Sequence, residues 1–129
     1  MTQLSPHFTL SELRCRCGCA LPPGGQESLR RVALALEELR AEIGVPLQVI
    51  SGHRCAARNR AIGGARASMH LRAIAVDIQA EGYTGRALRA FAERLISAGR
   101  MPDGGLGVYS DRPRTLHYDQ RGMRARWEG

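Results

Sequence analysis

The sequence predicts an α+β domain in which a small, largely antiparallel sheet is flanked by two main amphipathic helices. Three observations carry this. Two stretches have helical apolar periodicity, several short β-favouring segments occur without strict helix–strand alternation, and the whole lies within 129 residues of 43% hydrophobic content, enough for one core and too little for two. A single domain over residues 1–129 is expected, with residues 1–25 as an N-terminal arm that carries a Cys-rich loop.

The arm opens on Thr9-Leu10-Ser11-Glu12, a capping box in which the Thr9 hydroxyl and the Glu12 carboxylate each satisfy an orphan backbone donor; a short helix over 10–14 follows. Cys15, Cys17, Cys19 and the Pro22-Pro23-Gly24-Gly25 run are too rich in turn residues for a regular element. From about Gln26 to Ile43, Leu29, Val32, Ala33, Leu36, Leu39 and Ile43 recur every three or four positions, an amphipathic helix ending at Gly44. Pro46 forbids continuation, and Leu47 to Ile50 alternates as a half-buried strand does.

A short helix is expected over Cys55 to Ile62, closed by Gly63-Gly64, and a second strand over Ile74 to Ile78. A second amphipathic helix begins near Thr84, with Leu88, Phe91, Ala92, Leu95 and Ile96 on one face, and Gly99 ends it. Beyond Pro102 the chain reads as short strands at Leu106 to Tyr109, Leu116 to Asp119 and Met123 to Trp127.

The net charge of +7 comes entirely from arginine, because the chain has no lysine. Such a field favours polyanionic partners. Dispersed arginines and only 5% aromatic residues, with no groove-reading or stacking motif, argue against nucleic acid; an anionic cell wall suits the charge better. No stretch approaches the roughly 18 apolar residues of a membrane span, and the first residues lack a secretory pattern. A protein made in the cytosol, without a membrane span, is the expectation.

Chemistry concentrates in Ser68 to Asp77 and in Leu116 to Asp119, which place two of the chain's four histidines and two aspartates in apolar surroundings. Three His and Asp ligands with a fourth position left to water are what a hydrolytic zinc site uses. Asp77 lies between Val76 and Ile78, where a carboxylate is costly unless paired or bound to a cation. His70 and Asp77, seven residues apart, would be about 23 Å apart in an extended chain; sharing a metal requires a tight turn around Leu71 to Ala73. His117 and Asp119 share one face of a strand, about 7 Å apart along the backbone.

Ser51-Gly52-His53-Arg54, Asn59, Gly63-Gly64, Ser68-Met69-His70 and Ala73, Ala75, Asp77 together resemble the bacterial and phage zinc peptidases of the D-alanyl-D-alanine carboxypeptidase group (peptidase family M15). Gly105-Leu106-Gly107-Val108-Tyr109, Leu116-His117-Tyr118-Asp119 and the entry His7-Phe8-Thr9-Leu10-Ser11-Glu12-Leu13 extend the resemblance over nearly the whole chain. It implies a hedgehog/D-Ala-D-Ala peptidase-like fold with its zinc site on the sheet, zinc ligands His70, Asp77 and His117, and Ser68 lining the substrate pocket. Arg54 would hold a carboxylate or polarise the scissile carbonyl of a peptidoglycan stem peptide, tasks suited to its permanent charge and forked geometry.

Three positions depart from the family pattern. Ala73 stands where glycine is usual, so a turn requiring φ > 0 would cost roughly 1 kcal/mol. His53 replaces tyrosine and reads as a packing or substrate-side residue before a ligand. Arg114 stands where related enzymes have a carboxylate that takes a proton from the attacking water, and Asp119 becomes the candidate general base, or else the third ligand in place of His117.

For Cys15, Cys17, Cys19 and Cys55 the expected arrangement is a disulfide from the Cys15–Cys19 loop to Cys55. The competitors are a second, structural zinc, against which Cys-x-Cys-x-Cys lacks the usual knuckle spacing, and four unbonded thiols. The resulting expectation is a monomeric zinc peptidase, one catalytic Zn2+ per chain, that cleaves a peptide bond in the stem or cross-link of peptidoglycan after release by lysis or as part of a virion. The alternatives are a catalytically impaired cell-wall-binding module that keeps the zinc fold, and a basic nucleic-acid-binding domain with a cysteine-zinc element.

Overall fold

The computed structural model describes residues 2–129. Element order is β1 (Gln3–Ser5), β2 (Phe8–Thr9), α1 (Leu10–Leu13), α2 (Gly25–Ile43), β3 (Leu47–Ser51), α3 (Ala56–Ala61), a 3₁₀ turn at Met69–Arg72, β4 (Ala75–Ala80), α4 (Gly85–Ser97), β5 (Gly105–Val108), β6 (Leu116–Asp119) and β7 (Ala125–Glu128). The α+β architecture is as expected from sequence. Both halves of the capping box form: Thr9 Oγ1 accepts from the Glu12 amide, and Glu12 Oε1 accepts from the Thr9 amide at 2.9 Å. The α2 helix ends at Gly44, whose left-handed backbone (φ +75°) lets its N–H reach the Arg40 carbonyl.

Two elements were not legible in the sequence. The β1–β2 hairpin is too short to show periodicity, and two side chains hold it to α2: Glu37 accepts from Ser5 Oγ at 2.6 Å and from the His7 amide at 2.7 Å, and Arg30 donates to the Leu4 carbonyl at 3.1 Å. The 3₁₀ turn carries His70.

The five-stranded sheet has the order β3-β4-β6-β5-β7, antiparallel throughout except for the parallel β5–β7 pair. Register divides its faces cleanly. Val76 and Ile78 lie opposite Tyr118 and Leu116, which lie opposite Leu106 and Val108, and all six are buried with the inner stripes of α2 and α4 in the core. Each such aliphatic side chain, removed from water, contributes roughly 1.5–3 kcal/mol. Alternation sends the remaining residues to the opposite face, where Ser51, Asp77, His117, Gly107 and Trp127 form one row across all five strands. Among the described residues no helix is long and apolar enough to cross a membrane.

Gly107 is required by that row. A Cβ there would fall inside the indole of Trp127, so the missing side chain is what lets the ring lean over to His117, at 4.9 Å between centroids. Gly107→Ala is expected to cost about 1–3 kcal/mol through overpacking and to red-shift the emission of Trp127, the chain's single tryptophan; unchanged emission and an unchanged urea midpoint would contradict the packing described.

Glu37 gives the acid limb of stability. Partial burial pushes its pKa up, but the bonds from Ser5 and His7 outweigh that and hold it below the usual value. A depressed folded-state pKa means stability that is fully present above the unfolded carboxyl's ~4.3 and lost as pH falls through the folded value. The stability gap between wild type and Glu37→Gln, measured by denaturant titration, is therefore expected to be constant near neutrality and to close below about pH 4.

Candidate metal centre

Asp77 and His117 are direct partners across the β4–β6 ladder, so pleat and register alone put both side chains on the same face at the same level. His70 reaches them from the 3₁₀ turn. Ser68 Oγ accepts from the His70 amide at 3.2 Å and caps the turn, and Ala73 at φ +58° then swings the chain into β4. The bend expected around Leu71 to Ala73 is thus present, and Ala73 is the one non-glycine residue with positive φ among those described. The left-handed conformation costs roughly 1–2 kcal/mol for an L-residue, and it is repaid by packing, since Ala73 is fully buried.

The three donor groups converge. His70 Nε2 lies 3.3 Å from Asp77 Oδ2, His117 Nδ1 lies 3.2 Å from Asp77 Oδ1, and ligand atoms of all three fall within 4.8 Å of one another. The far nitrogen of each imidazole is also committed. His70 Nδ1 donates to the Gly52 carbonyl at 2.7 Å, and His117 Nε2 donates to Asp119 Oδ2 at 2.7 Å. With those nitrogens protonated, the near nitrogens present lone pairs, and two lone pairs meet a carboxylate that is itself only an acceptor. Three buried acceptors aimed at one point fit a cation. The two nitrogen–oxygen distances, each to a different oxygen of Asp77, lie near the roughly 3.3 Å between ligands of a tetrahedral metal with bonds near 2.0–2.1 Å.

Asp77 is held ionised, and His117 is biased toward its protonated form. Burial pushes the Asp77 pKa up, but contacts from His117 and His70 more than offset it, so the group stays a carboxylate well below the ordinary range. At His117, burial opposes protonation, while Asp119 and Asp77 together raise the pKa. A proton and a metal ion compete for the same Nδ1 lone pair.

Asp119 has a different place from the one expected of it. The side chain is fully buried; Oδ1 accepts from the Gly105 and Arg121 amides and from Arg121 Nε, and Oδ2 from Arg121 Nη2 and His117 Nε2, all within 2.7–3.1 Å. Asp119 does not line the cleft over the three donors. Nor is Asp119 among the converging donors, so His117, on its near nitrogen, completes the set. Asp119 instead fixes the tautomer and orientation of His117. Arg114 is exposed on the outer surface opposite Glu81, at 3.6 Å, clear of the site.

A cleft of about 780 Å³ opens over the centre, lined among others by Arg54, Ser68, Tyr109, Asp111, Arg121 and Trp127. Arg54 donates to Ser68 Oγ at 3.2 Å, while its buried Nε has no partner; burial lowers its pKa, partly countered by Asp77. A half-buried guanidinium without a carboxylate partner is a ready anion site. His53 is buried, with its amide on the Leu13 carbonyl at 2.7 Å and its ring Nδ1 without a hydrogen-bond partner, and it is not among the converging donors. Sequence reading missed Gly52, Tyr109, Asp111, Arg121 and Trp127. The signal for two of them was Gly105-x-Gly107, whose bare strand face admits the Arg121 guanidinium, paired with Asp119, and the Trp127 ring.

The four cysteines are unbonded. Their closest approach is 3.1 Å between Cys15 and Cys17, longer than the ~2.05 Å of a disulfide, and the loop reaches Cys55, with Cys17 Sγ 3.5 Å and Cys15 Sγ 3.9 Å from its sulfur.

No curated protein matches the chain. The family described as Peptidase M15, whose members are typically metal-dependent, matches residues 6–112. That match takes in Arg54, Ser68, His70 and Asp77 and stops short of β6, which the fold itself brings to the same centre. Extending over far more than half of the sequence, it establishes that the chain belongs to the peptidase M15 family.

Proposed function

We propose that the protein is a zinc-dependent peptidase that hydrolyses a peptide bond in the stem or cross-link of bacterial peptidoglycan. The observation that carries the reading is the closed geometry of His70, Asp77 and His117 beneath a cleft holding a guanidinium without an anionic partner. Three ligands of this kind leave a fourth position open, as catalytic rather than structural zinc sites do. Zinc held there would supply an acidified water and a Lewis acid for the scissile carbonyl.

The chain's own residues supply the rest. Gly52 and Asp119 keep each imidazole turned so that its near nitrogen faces Asp77. Arg54, steadied by Ser68, binds a substrate carboxylate or the developing oxyanion, where a fixed positive group in a shielded cleft is worth most. Of the carboxylates lining the cleft, Asp77 is engaged by both imidazoles and Asp111 is exposed at the rim; Asp111 is thus assigned as proton acceptor in place of Asp119. Cleft arginines and a net charge of +7 favour an anionic wall whose stem peptides end in carboxylates. Release by lysis, or carriage on a virion, would bring a monomer of this kind to that wall.

A second reading, a wall-binding module that keeps the zinc, is favoured by the distance of Arg114 from the centre and by the exposure of Asp111. Purified peptidoglycan and metal analysis separate the two. The peptidase is expected to carry one metal in this site and to release peptide products; binding of wall and zinc without product would establish the second reading. His70→Ala and Asp77→Asn are expected to lose that metal. Asp119→Asn is expected to weaken metal affinity about 10–100-fold, and Asp111→Asn to lower kcat with metal content unchanged. Arg54→Ala is expected to lower kcat/KM about 10–100-fold, the loss of a charged hydrogen bond.

A further inference from the structure

We propose that Cys15, Cys17, Cys19 and Cys55 form a second metal site, a closed tetrathiolate that holds a zinc-class divalent ion and fixes the turn beneath the catalytic cleft. Four sulfurs, three from the arm and one from the turn after β3, have ligand atoms all within 4.8 Å of one another. Cys15 to Cys17, Cys17 to Cys55 and Cys15 to Cys55 are 3.1, 3.5 and 3.9 Å apart. A tetrahedral site with zinc–sulfur bonds of about 2.3 Å places its sulfurs roughly 3.8 Å apart. Disulfides consume sulfurs in pairs, whereas here Cys15, Cys17 and Cys55 each approach the other two.

The surroundings suit thiolates. The Arg58 amide donates to Cys55 Sγ at 3.4 Å. Arg14, Arg16 and Arg54 adjoin the ligands in sequence, a cationic setting for a centre of net negative charge. Binding forms four metal–sulfur bonds as each thiol releases its proton to solvent; no electron is transferred.

The loop is also pre-placed without the ion. Gly18 at φ +75° folds it back through its amide to the Cys15 carbonyl, Arg14 holds the Cys19 carbonyl at 3.1 Å, and Arg16 holds the Ile50 carbonyl at 2.9 Å. With four protein ligands no position is left for water or substrate, so the role is structural. What it secures is the segment Gly52 to Arg54: the Gly52 carbonyl orients His70, and Arg54 faces the cleft.

The proposal stands independently of the catalytic reading, and the His70→Ala/His117→Ala double variant separates them because it keeps all four cysteines. Purified under reducing conditions, it is expected to retain one zinc per chain, with its thiols unreactive to a thiol reagent until a chelator is added. Cobalt replacement is expected to give an intense sulfur-to-cobalt charge-transfer band. Adding Cys17→Ser and Cys19→Ser is expected to abolish that zinc. A reduced double variant with no metal and four freely reacting thiols would overturn the proposal, as would an intact mass of the purified chain lower by two hydrogens per bond, the mark of disulfides. A cobalt spectrum without the sulfur band would overturn it equally.

Discussion

The pairing of Asp77 with His117 across β4 and β6 is the constraint on which the site depends. Register fixes which residues stand opposite, and a slip of one position would send both side chains into the apolar layer beneath the helices. The same pairing aligns Val76 with Tyr118 and Ile78 with Leu116 on the other face. Hydrophobic burial on one side therefore enforces the placement of the donor side chains on the other, and the core under α2 and α4 is what holds that cluster rigid.

Burying acceptors without donors is unfavourable, and the fold handles this in layers. Asp77 sits between two imidazoles, and each imidazole is anchored from behind, one by a backbone carbonyl and the other by Asp119. Arg121 then neutralises Asp119 and reaches over the Trp127 ring, 5.1 Å from its centroid. Charge alternates outward from the centre, and the near nitrogens of the two imidazoles and the Asp77 carboxylate leave acceptors directed at the position a cation would take. Arg54 is the exception, an unpaired cation on the cleft side, where a substrate anion is the natural complement.

The N-terminal arm is part of the same machinery. Its Leu13 carbonyl accepts from the His53 amide, Gly52 packs so closely on Leu13 that a side chain there would collide with the carbonyl, and the cysteine loop closes on Cys55. The turn that supports His70 is thus built from two distant pieces of chain. An arm that reads as peripheral in sequence is in fact a support for that turn.

By itself the sequence determined the elements and the chemistry. Apolar periodicity marked α2 and α4, the capping box and Gly44 marked helix ends, and β-favouring runs marked the strands, because each is a local property read within a few residues. His70, Asp77 and Arg54 were legible as candidates from residue type and motif. Only the tertiary structure decided how those residues divide the work. Whether Asp119 is a base or a support for His117 depends on which side of an imidazole it touches and on Arg121 sealing it, neither of which strand spacing contains. The roles of Gly52, Gly107 and Trp127 arise from backbone carbonyls and bare glycine surfaces, which carry no sequence signature of their own. The cysteines show the same limit: Cys-x-Cys-x-Cys gave no metal-site spacing, and only the fold, by bringing Cys55 across 40 residues to Cys15, set four sulfurs around one point.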